Sequence, residues 1–267
     1  MLKIFAGCLV FTLCGFFQPV AALPAADSKA MTNTTWKIKQ TGPSHGAVVI
    51  YVRKNAFRIE RGDLIFVSHT PDWKVYSMRG SKKLMMKSDF EKAAKIARMS
   101  EATTISETES APWKKAGKST IKGLSAICWA AEPKSGGKGD RWEVSNLRYW
   151  VTDDNAVSAK AGEFLAASYG LPYKGGIPLQ MTYLGKSSAF FPMAMRSSTA
   201  DEKVHPRSWL ETVESTKVSV PDSLFGVPKG YKEDKEFGNL YLGNKVGKDN
   251  EILKDLMNNP KALFQSQ

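Results

Sequence analysis

The stretch from residue 34 to residue 88 constrains the fold more than any other part of the chain. It divides into short runs of alternating apolar and polar residues, each ended by turn formers. Trp36 and Ile38 alternate with Lys37 and Lys39. Gly42-Pro43-Ser44-His45-Gly46 precedes the run 47–52, and Arg53-Lys54-Asn55 precedes 56–60. Arg61-Gly62-Asp63 leads into 64–68, Thr70-Pro71-Asp72 into 73–78, and Arg79-Gly80-Ser81 into 83–87. Period-two alternation puts one face of each run on a core, and turns spaced about 8–12 residues apart join neighbours as hairpins. Six such runs predict an antiparallel meander.

The period changes at Ser88 or Asp89, either of which can cap a helix. Phe90, Ala93, Ala94 and Ala97 fall on one helical face, with Lys92, Lys95 and Arg98 off it. Residues 100–118 are rich in Ser, Thr and Glu and then in Lys, and read as a surface connection. Strands resume at 119–121, 125–131 and 141–151, with a Gly-rich loop at 133–139. A second helix is capped by Asp154 or Asn155, lined by Val157, Ala161, Phe164, Leu165 and Ser168, and ended by Gly170 and Pro172. Further strands are expected at 177–184, 188–196 and 208–218, and a short last helix at 249–257.

These elements predict an α+β fold: a mostly antiparallel sheet of about 10–11 strands with two or three helices, which the resemblance drawn below implies to be strongly curved. At 267 residues with 42% hydrophobic and 24% charged, the chain can bury a core and is not a disordered polymer.

The N-terminus reads as an export signal. Lys3 precedes an apolar run from Ile4 to Phe17, and Val20 and Ala22 flank a small-residue cleavage site, with a cut after Ala22 or after Ala26 both fitting the pattern. The run is shorter than the roughly 20 residues that span a bilayer. The expected organisation is a signal peptide at 1–22, a loose segment at 23–33, the sheet domain at 34–232 and a tail at 233–267. No transmembrane span is expected after cleavage, and the location is periplasmic or secreted. Cys8 and Cys14 leave with the signal, so Cys128 alone remains and no disulfide framework can form.

Catalytic signatures are missing. Gly117-Lys118-Ser119 and Gly185-Lys186-Ser187 end like phosphate-binding loops, but the required earlier Gly is replaced by Pro112 and Gln180. No Ser sits in a Gly-x-Ser-x-Gly elbow. His45, His69 and His205 lack the spacing of a zinc site. Cys128 lies in an apolar run and reads as a buried, inert thiol. Asp153 and Asp154 suit a helix start better than a metal. The chain therefore reads as a binding protein, not an enzyme, with no metal and no cofactor.

Two features remain to carry function. Lys and Arg outnumber Asp and Glu by 38 to 26, a formal charge of +12. Lys82, Lys83, Lys92 and Lys95 are candidates for contact with an anionic envelope surface. An exported chain argues against a nucleic-acid partner. Aromatic and Met residues, taken as Tyr76, Met78, Met86, Phe90, Phe191 and Met193, are candidates to line an apolar concavity.

The element order, together with Lys54-Asn55-Ala56-Phe57-Arg58-Ile59-Glu60, Arg148-Tyr149-Trp150-Val151-Thr152-Asp153-Asp154 and Gly176-Ile177-Pro178-Leu179-Gln180, resembles an uncharacterised branch of the bacterial lipoprotein-carrier superfamily of half-barrels. That resemblance covers about residues 34–232. It implies a bent sheet with helices across its mouth and a carrier role for a lipid or acyl chain, with no catalytic residue. The alternative is an interaction module with a filled core, whose basic face docks to an envelope partner or polyanion.

Overall fold

The computed structural model describes residues 34–43, 46–99, 108, 111–132, 145–155, 157–185, 205–235 and 240. The period-two stretch forms six strands: β1 (Thr35–Gly42), β2 (Gly46–Arg53), β3 (Ala56–Arg61), β4 (Leu64–His69), β5 (Val75–Arg79) and β6 (Leu84–Ser88). Each pairs antiparallel with the next. Their register aligns Ile38, Ile50, Ile59, Phe66, Ser77 and Met86 in one continuous row across all six strands. Trp36, Val52, Phe57 and Ser68 run parallel to it, two residues along.

Helix α1 (Phe90–Met99) follows, then β7 (Lys114–Ile121), β8 (Leu124–Ala131), β9 (Ser145–Thr152), α2 (Ala159–Ser168), β10 (Pro178–Gly185) and β11 (His205–Val218). A 3-10 turn at Asp222–Phe225 and a two-residue strand, β12 (Lys232–Glu233), close the order. The strands make one twelve-stranded sheet, β12-β6-β5-β4-β3-β2-β1-β11-β10-β9-β8-β7. It is curved without being closed, an α+β half-barrel. Opposite Lys39 and Gln40 of β1 the extra residue is Val213 of β11, and opposite Met181 and Thr182 of β10 it is Trp209 of β11, so β11 is bulged on both sides. A bulge adds one residue to one strand and so bends the pair. The bend is deep enough for the Ser215 hydroxyl of β11 to donate to the Lys122 carbonyl in the β7–β8 turn.

The described residues all fall in one compact unit. The signal segment, Phe191, Met193, His45, the strand expected at 188–196 and the helix expected at 249–257 lie outside the described residues.

Two expectations are corrected, and the sheet gains a strand. β7 begins at Lys114, inside the stretch read as a connection. Its residues Lys114 to Thr120 are all exposed, so neither face carries the apolar alternation by which a strand is recognised. The cap of α2 is Ser158, whose hydroxyl accepts from the Ala161 N–H at 3.2 Å, and not Asp154 or Asn155. The sheet also has twelve strands, because β12 joins the outer side of β6 in parallel, with the Lys232 N–H donating to the Lys83 carbonyl at 2.8 Å.

Candidate functional site

The inner side of the sheet holds the main core. α2 fills its centre: Phe164 meets Phe57 at 5.5 Å, Phe66 at 5.3 Å and Phe90 at 6.3 Å between ring centroids. Offset and tilted aromatic pairs at such distances add to the burial of the rings themselves. The helix end is locked by a buried polar network. Tyr169 donates its hydroxyl to Gln40 Oε1 at 2.7 Å. Gln40 Nε2 donates to the Pro178 carbonyl at 2.6 Å and to Thr212 Oγ1 at 3.1 Å, and Thr212 donates to the Leu179 carbonyl at 2.6 Å. Both the oxygen and the nitrogen of the Gln40 amide thus have partners, as burial demands.

α1 is attached differently. Its buried side is Phe90, Ala93, Ala94 and Ala97. On that side of β4, β5 and β6 the sheet carries Ser68, Ser77 and Ser88, all buried, and the Ser68 hydroxyl has no hydrogen-bond partner. Lys160 of α2 ties the two helices. Its ammonium lies 4.0 Å from the Phe90 ring centroid, 3.3 Å from Glu91 Oε1 and 3.1 Å from Glu163 Oε2. Burial pulls the Lys160 ammonium down, but hydrogen bonds and charge from Glu163 and Glu91 hold it above the usual lysine range.

The candidate lining residues divide between two faces. Met86 and Phe90 lie on the helix side, Met86 beside Leu84, Ile96 and Leu240. Tyr76 and Met78 lie on the outer face: Met78 clusters with Ala56, Val67 and Phe225, and Tyr76 is the register partner of Val67 and Lys87. Period two puts them on the side of β5 opposite Val75, and the outer face is apolar because another segment covers it. Residues 218–231 cross it, placing Val220, Leu224, Phe225, Val227 and Tyr231 on Tyr51, Ile65 and Met85. Arg53 pins this strap, with its guanidinium 4.4 Å from the Phe225 ring centroid and 2.5 Å from Asp222 Oδ1. The strap then pairs with the β6 edge and returns to the helix side, where Leu240 is fully buried and its carbonyl accepts from Arg79 at 2.9 Å.

The four candidate lysines occupy two places. Lys82 and Lys83 are in the β5–β6 turn, Lys83 over the Tyr231 ring at 5.2 Å. Lys92 and Lys95 are exposed on α1. Cys128 is buried, and that burial raises its thiol against the opposing pull of Arg148. Among the described residues no helix is long and apolar enough to cross a membrane.

Sequence reasoning missed the strap, whose apolar residues are too widely spaced to read as a strand or helix. It also missed a group at the far end of the sheet, Lys115, Trp129, Tyr149 and Lys174, although Tyr149 stood in a quoted motif.

No protein-family model matches the chain, and no curated protein matches it. Among solved structures it aligns with an uncharacterized conserved protein from Thermus thermophilus at 11% identity, covering 77% of this chain and 92% of that one, with a TM-score of 0.35. It aligns with the complex of Pseudomonas aeruginosa MucA and MucB at 9% identity, covering 75% of this chain and 58% of that one, with a TM-score of 0.29. A putative outer membrane lipoprotein-sorting protein domain from Vibrio parahaemolyticus aligns at 8% identity over 72% of this chain and 88% of that one, with a TM-score of 0.21.

Proposed function

We propose that the protein is an exported, non-enzymatic binding protein for an amphiphile, whose apolar part lies between α1 and the inner face of β4–β6. The observation that carries this reading is the small size of what is buried on both sides: α1 buries only Phe90, Ala93, Ala94 and Ala97, and the helix side of β4–β6 carries Ser68, Ser77 and Ser88. Three Ala methyls contribute about 0.8 kcal/mol each on burial, and Phe90 about 1.5–3 kcal/mol. Ordering the ten residues of α1 costs on the order of 1 kcal/mol per residue before its own hydrogen bonds are counted. α1 is therefore weakly held beside α2, which is anchored by Phe164, Leu165 and the Tyr169–Gln40 bond. Lifting α1 uncovers Phe66, Val75 and Met86, an apolar strip for an acyl chain, with Phe90 carried on the lifted helix. Lys92 and Lys95 on α1 then stand at its rim for a negative headgroup. The signal pattern at 1–22 supports an envelope-side location.

The test is native mass spectrometry of gently purified protein, with cis-parinaric acid titration of the delipidated form. Copurified lipid or saturable fluorescence enhancement is expected, and Ser77→Phe, which fills the strip, abolishes the enhancement. Neither lipid nor enhancement in the unsubstituted protein overturns the reading.

The packing of Phe164 against three aromatic rings favours a second reading, a docking module with a filled core. That reading expects salt-sensitive binding to anionic vesicles with no uptake of the probe.

A further inference from the structure

The far end of the sheet holds a group of donors with nothing to donate to. Register places Lys115 of β7, Trp129 of β8 and Tyr149 of β9 side by side in one cross-strand row. Tyr149 is fully buried, and its hydroxyl has no hydrogen-bond partner. The buried Nε1 of Trp129 has none either. Burying a hydroxyl or an indole N–H without a partner costs about 1–3 kcal/mol each, so two in adjacent positions of one row call for an acceptor.

Positive charge converges on the same row. The Lys115 ammonium lies 5.6 Å from the Trp129 ring centroid, and that of Lys174, from the loop after α2, lies 5.1 Å from it. Tyr173, beside Lys174, is 39% exposed, and it is among the groups that act electrostatically on the Tyr149 hydroxyl. The nearest acid acting on Tyr173 is Glu163, already bound to Lys160 at 3.1 Å.

We infer that the Lys115–Trp129–Tyr149 row with Lys174 is a binding site for an oxyanion, a carboxylate or phosphate, carried free or on an apolar body. Two neutral donors fix the oxygen positions, two ammonium groups supply charge, and the indole and Tyr173 rings offer flat apolar walls. Burial pushes the Tyr149 hydroxyl well above its usual range, so it stays protonated and able to donate. The site lies on β7–β9, away from α1, and stands independently of the amphiphile reading.

Calorimetric titration with inorganic phosphate and with dodecyl phosphate tests it. The unsubstituted protein is expected to bind at least one of them; binding of both points to the oxyanion alone, and binding of dodecyl phosphate only points to an amphiphile headgroup. Tyr149→Phe is expected to weaken binding about 10- to 100-fold, the worth of one hydrogen bond to a charged group. Its midpoint of thermal unfolding should not fall, because the lost hydroxyl had no partner. Lys174→Ala should weaken binding and make the remainder less sensitive to salt. No binding of either ligand, or equal binding by Tyr149→Phe and Lys174→Ala, overturns the site. Dodecyl phosphate that still binds Tyr149→Phe at full strength overturns this site and leaves the strip under α1 standing.

Discussion

Gly162 of α2 lies against Gly176 so closely that a Cβ on Gly162 would stand 2.5 Å from the Gly176 carbonyl oxygen. Gly176 is pressed in turn against the Thr152 backbone, and Thr152 exchanges bonds of 2.9 Å with Ile177. The helix therefore sits on backbone, with no side chain between. Gly162→Ala would gain about 1 kcal/mol of helix propensity. Overpacking against a carbonyl that cannot swing away costs about 1–3 kcal/mol, and the contact should win. Urea unfolding should show a lower midpoint for the variant. A raised midpoint would mean that α2 can shift outward freely.

Phe164 is the side chain that fills the bowl. Truncating it to Ala removes contacts with Phe57, Phe66 and Phe90 at once. A loss of about 3–5 kcal/mol is expected in the same unfolding experiment. Leu at this position should lose less, since most of the volume remains.

Tyr169→Phe removes the donor to Gln40 Oε1 while keeping the ring. The amide oxygen is left buried, which costs about 1–3 kcal/mol. Gln40→Leu also gives up the Nε2 bonds to the Pro178 carbonyl and Thr212 Oγ1, so the double variant should lose more than Tyr169→Phe alone but less than the sum of the two single losses. A double-mutant cycle measures the coupling.

Much of this architecture was legible because β1–β6 are wetted on one side or covered only by a strap, so period two survives in Ile38, Ile50, Ile59 and Phe66. The face of each residue was legible too, yet Tyr76 and Met78 were grouped with Met86 and Phe90. Alternation says which side chains share a face, and the outer face is apolar only because residues 218–231 return across it. β7 was illegible for the opposite reason: exposed on both faces, Lys114 to Thr120 have no burial to pattern them. The Tyr149 row needed the register of three strands, which hairpin spacing alone cannot supply for β8 and β9, since residues 132–144 separate them in sequence.

Acid should loosen the β3–β4 and β5–β6 turns together. Asp63 accepts from Ser81 Oγ at 2.5 Å, from the Ser81 N–H at 2.7 Å and from Arg79 at 3.1 Å. The Ser81 hydroxyl bond, aided by the Ser81 amide and by Arg79, outweighs the opposing effect of burial and holds its carboxyl below the usual range. A carboxyl depressed in the folded state stabilises fully above its unfolded pKa, and that contribution is lost as pH falls through the folded value. Stability measured by urea unfolding should fall as pH drops from about 5 toward 2, with a shallower slope in Asp63→Asn. Equal slopes would show that Asp63 does not contribute to the acid limb.

Leu240 holds the end of the strap. It is fully buried beside Met86, Leu84 and Ile96, on the side of the sheet opposite the one the strap crosses. Leu240→Asp places a carboxylate there at a cost of several kcal/mol, about what the short β12 pairing and the Arg79 bond can resist. The strap end should detach while the twelve-strand body survives, apart from β12 itself. Lys229, Lys232 and Lys235 are exposed, and detachment frees the backbone around them for trypsin. Limited proteolysis of Leu240→Asp is expected to cut at these lysines at least an order of magnitude faster than in the unsubstituted protein, with Leu240→Met close to unchanged. Equal rates in Leu240→Asp would mean that the Arg53–Asp222 and Arg53–Phe225 contacts hold the strap without it.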